Sequence, residues 1–177
     1  MPPSIELGKG GNVRYRWHLA VLGLTLVSSL AMALERPAGK PLLKVSGDIG
    51  ITNVGDQAWF DRDMLLALDQ GRISTHLPWY DGASVYDGPL LMALLEAVDA
   101  RGMELRVAAL NDFAATIPVE DARDFGIVLA MSRDGNALEV RHQGPLFVIY
   151  PFDERPHLYN AVYLTRSVWQ VESIDVR

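Results

Sequence analysis

Aromatic rings stand beside carboxylates, amides and guanidinium groups at four places in this chain: Trp79, Tyr80 and Asp81; Asn111, Asp112 and Phe113; Tyr150, Asp153, Glu154 and Arg155; and Arg166, Trp169 and Gln170. The face of a Trp or Tyr takes a flat heteroaromatic ring, worth roughly 1–3 kcal/mol by analogy with stacked bases. A carboxylate set against a donor–donor edge adds about 1.5–3 kcal/mol for a charge-assisted hydrogen bond. A pterin has both the face and such an edge. Taken singly these residues have plainer uses: Tyr150 and Trp169 as core rings with one satisfied polar atom, Asp112 as a turn former. Their gathering at the ends of apolar segments, which would hold them rigidly, is what points to a ligand.

Catalytic chemistry has less behind it. His76, His142 and His157 lack metal-ligand spacing, and Ser74, Ser84, Ser132 and Ser167 lack the strand–turn–helix context of a nucleophile elbow. The chain holds no cysteine, which excludes thiolate ligands, cysteine nucleophiles and disulfides. No glycine-rich phosphate loop, P-loop or HExxH motif occurs.

The central segment is Thr75 to Leu91, THLPWYDGASVYDGPLL. Leu77-Pro78 fixes an extended entry, Gly82 and Gly88 mark turns, and Gly88-Pro89 precedes LLMALLEAV, where a proline suits the first turn of a helix. The pattern predicts a strand, a loaded loop and a helix from Pro89 to about Arg101 with Gly102 as its left-handed stop. Upstream, LLKVSGDIG predicts a strand ending at Gly47, Asp48 to Gln57 a loop, and DRDMLLALDQG a short helix capped by Asp61 with Gly71 just beyond it. Downstream, MELRVAAL, Thr116-Ile117-Pro118, GIVLAM, LFVIYP and SVWQVESIDV read as strands. VEDARDFG reads as a helical turn or two, Asp134-Gly135 as a hairpin turn and FDERPHLYN as loop. About six short strands with three helical pieces, and no regular βαβ alternation, predict a mixed α+β domain over 42–177, preceded by a flexible lead over 34–41.

Residues 1–33 read as a signal peptide: Lys9, Arg14 and Arg16, then the apolar run Leu19 to Leu30, then Ala31-Met32-Ala33 as a small-x-small cleavage site. The alternative is an uncleaved anchor, and either places the domain outside the cytoplasm. Cleavage removes three basic residues and one acidic, so the chain's 16 and 22 become 13 and 21 and its formal charge moves from −6 to −8. An acidic surface without a basic stripe argues against nucleic acid and anionic lipid.

The succession VSGDIG, T-x-x-P-W, DGPLLMALLEA, ALNDFAATIP, IVLAMSRDGNAL, GPLFVIYPFD and RSVWQVESIDV resembles the oxidoreductase molybdopterin-binding domain of the sulfite oxidase superfamily across residues 42–177. Its most specific parts are Asn111 to Pro118 and Leu129 to Pro145. The resemblance implies the sulfite oxidase-type fold. Catalytic members hold molybdenum through a cysteine in the loop corresponding to about Leu77 to Trp79, and this chain has none; an arginine-rich pocket for oxyanion substrates is also missing from the sequence. A subgroup lacking the cysteine consists of exported pterin-binding sensors that contact the periplasmic part of an inner-membrane GGDEF or EAL protein and so affect cyclic-di-GMP and biofilm formation. The resemblance therefore implies a periplasmic regulator binding a reduced, metal-free pterin. Trp79 or Trp169 would stack on the ring, Asp112 or Asp153 would face its amino edge, and Asn111, Tyr150 and Arg166 would complete the pocket. The alternatives are a molybdopterin oxidoreductase with a noncysteine ligand or a partner subunit, and an interaction module with a vestigial pocket.

Overall fold

The computed structural model describes residues 34–177; the expected signal peptide lies outside the described residues. Three sheets and four short helices make an α+β fold, as the mixed sequence pattern predicts. The largest sheet has five strands, in the order β2 (Ala58–Phe60), β1 (Leu43–Gly47), β11 (Val171–Val176), β5 (Glu104–Ala109) and β6 (Ala114–Pro118). First and last strands pair in parallel at its centre, Val45 opposite Ile174, and the other pairings are antiparallel. Leu43, Val45, Leu105, Val107, Ile174 and Val176 alternate onto one buried face, the period-two signature of a half-buried sheet.

A second sheet is ordered β3 (Gln70–His76), β4 (Ala83–Pro89), β8 (Ser132–Arg133) and β9 (Asn136–Ala137). Its main feature corrects the sequence reading. The segment expected to be a loop opening a helix is a hairpin: β4 pairs with β3 over its full length, from Gln70 opposite Pro89 to His76 opposite Ala83. Ser84, Tyr86 and Gly88 point inward, an alternation disguised by small and polar residue types. Pro89 closes the strand, and the helix α2 occupies only Leu91–Ala97. Gly88 is small because a Cβ there would stand 2.2 Å from the Leu129 carbonyl oxygen.

The third sheet pairs β7 (Val128–Ala130) with β10 (Phe147–Ile149), all six residues buried, as expected for strands covered on both faces. Other differences lie at element ends. The helix α1 (Arg62–Leu66) is capped by Asp61, whose Oδ1 accepts from Met64 N–H at 3.0 Å, but it ends well before Gly71, which belongs to β3. The left-handed residue after α2 is Asp99 (φ 49°) and not Gly102. Gly102 instead admits the Arg177 backbone, whose carbonyl oxygen would lie 2.3 Å from a Cβ. The helix α3 (Val119–Phe125) ends on left-handed Gly126. The expected closing strand over 167–176 begins only at Val171, and the stretch before it holds an unforeseen helix, α4 (Ala161–Arg166). In the expected lead, Glu35 O accepts from Asn53 and Gly39 N–H donates to Asp61.

Candidate functional site

Four segments converge on one cavity of about 390 Å³. The β3–β4 turn supplies Trp79; the β5–β6 turn supplies Asn111 and Phe113; α4 supplies Ala161, Leu164 and Thr165; and the chain leading to β11 supplies Ser167 and Trp169. Each is held for a local reason. Asn111 Oδ1 accepts from Phe113 N–H at 3.2 Å, closing the tight turn in which Asp112 takes a left-handed φ of 65°. Asn160 caps α4 by accepting from Val162 N–H at 3.0 Å. Trp169 forms a bridge with Phe147, a strand residue with no exposed surface.

The aromatic wall is an edge-to-face cluster. Trp79 and Trp169 have ring centroids 5.1 Å apart at 77°, and each lies about 6 Å from Phe147. Two perpendicular rings do not form a parallel slot, so a flat ligand meets the face of one and the edge of the other. The polar atoms are few. Thr165 donates to Ala161 O at 2.8 Å and Ser167 to Tyr163 O at 3.0 Å, which leaves both hydroxyl oxygens as acceptors, while the Asn111 amide nitrogen is a donor.

Of the seven residues the sequence nominates, Trp79, Asn111 and Trp169 line this cavity. Asp112 sits beside it on the exposed turn. Tyr150 is fully buried behind α4, where its hydroxyl donates to Asp121 at 2.8 Å. Arg166 turns to the same carboxylate, also at 2.8 Å, and lines an adjoining depression with Ala114, Thr116 and Val162. Burial first, and the Asp121 charge next, push the Tyr150 phenol well above its usual value. Asp153, in the chain after β10, fastens to the end of β3: its Oδ2 meets His76 Nδ1 at 2.8 Å and its Oδ1 accepts from His76 N–H at 3.0 Å. Burial raises the Asp153 pKa, but these bonds outweigh it and hold the carboxyl below its ordinary range. Leu164, Thr165 and Ser167 escape sequence reasoning because α4 does, although Asn160 before AVYLTR is a helix-start signal.

No family model matches the chain and no curated protein matches it. Among solved structures it is similar to the sulfane dehydrogenase SoxCD from Paracoccus pantotrophus, with a TM-score of 0.56 and 17% sequence identity over 76% of this chain and 37% of that chain. The shared feature is the fold, which is of the sulfite oxidase type. This chain thus spans well under half the length of the protein it resembles.

Proposed function

We propose that the chain is a periplasmic, pterin-binding regulatory protein that works without molybdenum catalysis. A reduced pterin would lie in the cavity beneath Trp79, and occupancy would alter contact with the periplasmic part of an inner-membrane enzyme of cyclic-di-GMP turnover, affecting biofilm formation. The observation that carries the reading is the cavity itself: about 390 Å³, walled by Trp79, Phe113, Leu164 and Trp169, with Asn111, Thr165 and Ser167 as its polar residues. Ligand pockets are mostly apolar spaces of roughly 300–1,000 Å³ with a few placed polar groups. The hydroxyl oxygens of Thr165 and Ser167 suit a pterin's amino edge, and the Asn111 amide suits its carbonyl.

The same donor set does not fit molybdenum. An amide and two hydroxyls supply no soft ligand, the chain has no cysteine, and the guanidinium of Arg166, between the lining residues Thr165 and Ser167, is already paired with Asp121. The apolar run before Ala33 supports export. Native mass spectrometry of the protein purified from periplasm without added ligand, with metal content read from the same sample, tests the reading. A bound mass matching a free pterin without metal is the expected result. Stoichiometric molybdenum with a pyranopterin would make the chain an enzyme and overturn it.

A further inference from the structure

A second polar constellation, none of whose residues lines the aromatic cavity, gathers about Tyr80. Tyr86 on β4 and Arg133 on β8 are directly paired across an antiparallel ladder, so their side chains leave the sheet on the same face. Tyr86 is 1% exposed, and neither its hydroxyl nor the buried Arg133 Nη1 has a hydrogen-bond partner within the described fold. Leaving such groups unpaired costs about 1–3 kcal/mol each, more for a charged one, so paired orphans ask what they bind. The Tyr80 ring roofs the guanidinium, 3.8 Å from its carbon, and is tethered through its own hydroxyl to Gln143.

The surrounding charges set the ligand class. Arg133 is permanently cationic. Burial, with smaller contributions from its neighbours, pushes the Tyr86 phenol up to about 12, so at neutral pH it is a protonated donor. Ser84, two residues along the same face of β4, is 8% exposed and adds a hydroxyl. Asp134 stands 3.9 Å from Arg133 Nε and is engaged by Val85 N–H at 2.8 Å, and Nη1 is left unsatisfied. Beside Arg133 a cavity of about 180 Å³ is lined also by Asp134, Asn136, Ala137, Leu138 and His142, though not by the buried Tyr86, so an anion entering there meets the Asp134 carboxylate as well as the guanidinium.

We infer that Arg133 and Tyr86 form an oxyanion subsite, separate from the aromatic cavity, that takes a phosphate or carboxylate group, free or carried by a larger ligand. This does not rest on the pterin reading, and its test uses ligand-free protein. The melting temperature of the full chain is followed in inorganic phosphate, in succinate and in chloride at equal ionic strength. A saturable rise beyond chloride is expected with at least one of the two oxyanions; phosphate alone identifies a phosphate group, succinate alone a carboxylate, and both the shared charge. Arg133→Met should weaken the midpoint concentration about tenfold or more, as loss of a charge-assisted bond does. Tyr86→Phe should weaken it about threefold to tenfold while raising, not lowering, the melting temperature in chloride, because it removes a buried hydroxyl that nothing pairs. No response beyond chloride, or a full response in Tyr86→Phe, overturns the inference, and the second variant decides even if Arg133→Met does not fold.

Discussion

At the perpendicular pair Trp79 and Trp169, single atoms decide what can bind, since only one indole can offer its face to a planar ligand. Replacing that residue with Ala should weaken pterin binding by roughly 1–3 kcal/mol, about fivefold to 150-fold, whereas losing the edge-on partner should cost less. Fluorescence titration of Trp79→Ala and Trp169→Ala measures the asymmetry; equal and negligible losses would place the ligand elsewhere. Behind the cavity, Asp121 serves two partners at once, Tyr150 and Arg166, with its side chain 9% exposed. Asp121→Ala strands a buried phenol and a largely buried guanidinium, so a loss of roughly 3–5 kcal/mol is expected in urea unfolding. Adding Arg166→Met and Tyr150→Phe should restore a good part of it, because what the single change costs is mainly the unpaired groups.

At the scale of elements, α4 has six residues, too few to hold itself together without packing and caps, yet it forms one wall of the cavity. Asn160→Ala should therefore cost about 1 kcal/mol through the lost cap and weaken pterin binding more than it lowers the global melting temperature, a split that titration beside thermal unfolding detects. The hairpin makes the opposite case. Gly88→Ala drives a methyl into the Leu129 backbone and should destabilise the whole fold by roughly 1–3 kcal/mol. These two elements are also where sequence reasoning stops. Strands with strong apolar patterns, β1, β5, β7 and β10, and the capped helices α1 and α3 are legible because burial and capping leave local marks. The strand β4 is not, since Gly88 faces inward against distant backbone, and α4 is not, since it is short, buries none of its residues and is marked locally only by the Asn160 cap. Trp79, Asn111 and Trp169 were visible as aromatic or polar residues at element ends. Thr165 and Ser167 look like any others until α4 and its end set them beside the cavity, and Arg133 gave no signal until its pairing with Tyr86 was known.

Across the whole molecule, four carboxylates fasten segments that are remote in sequence. Asp61 accepts first from Met64 N–H and then from Gly39, tying the lead to α1. Asp134 accepts from Val85 N–H, tying the β8–β9 turn to β4. Asp153 joins the end of β3 to the chain after β10, and Asp175 joins β11 to Arg177 and Ser46. All four are held below the ordinary carboxyl value: by backbone donors at Asp61 and Asp134, by the Arg177 guanidinium first at Asp175, and at Asp153 by the His76 bonds against opposing burial. A depressed folded pKa means that the unfolded chain binds protons first, near its own value of about 3.9. The stability from these bonds is thus complete above that pH and is lost progressively as pH falls through the lower folded values. Melting temperature measured at low ionic strength should stay level from pH 6 to about 4.5 and fall steeply below it, in one cooperative transition because the tethers span all parts of the fold. Asp153→Asn should give a lower plateau and a shallower acid fall, since one of the protons driving unfolding is gone. A variant curve merely displaced downward, parallel to the wild type, would mean that Asp153 anchors its loop without its charge being linked to folding.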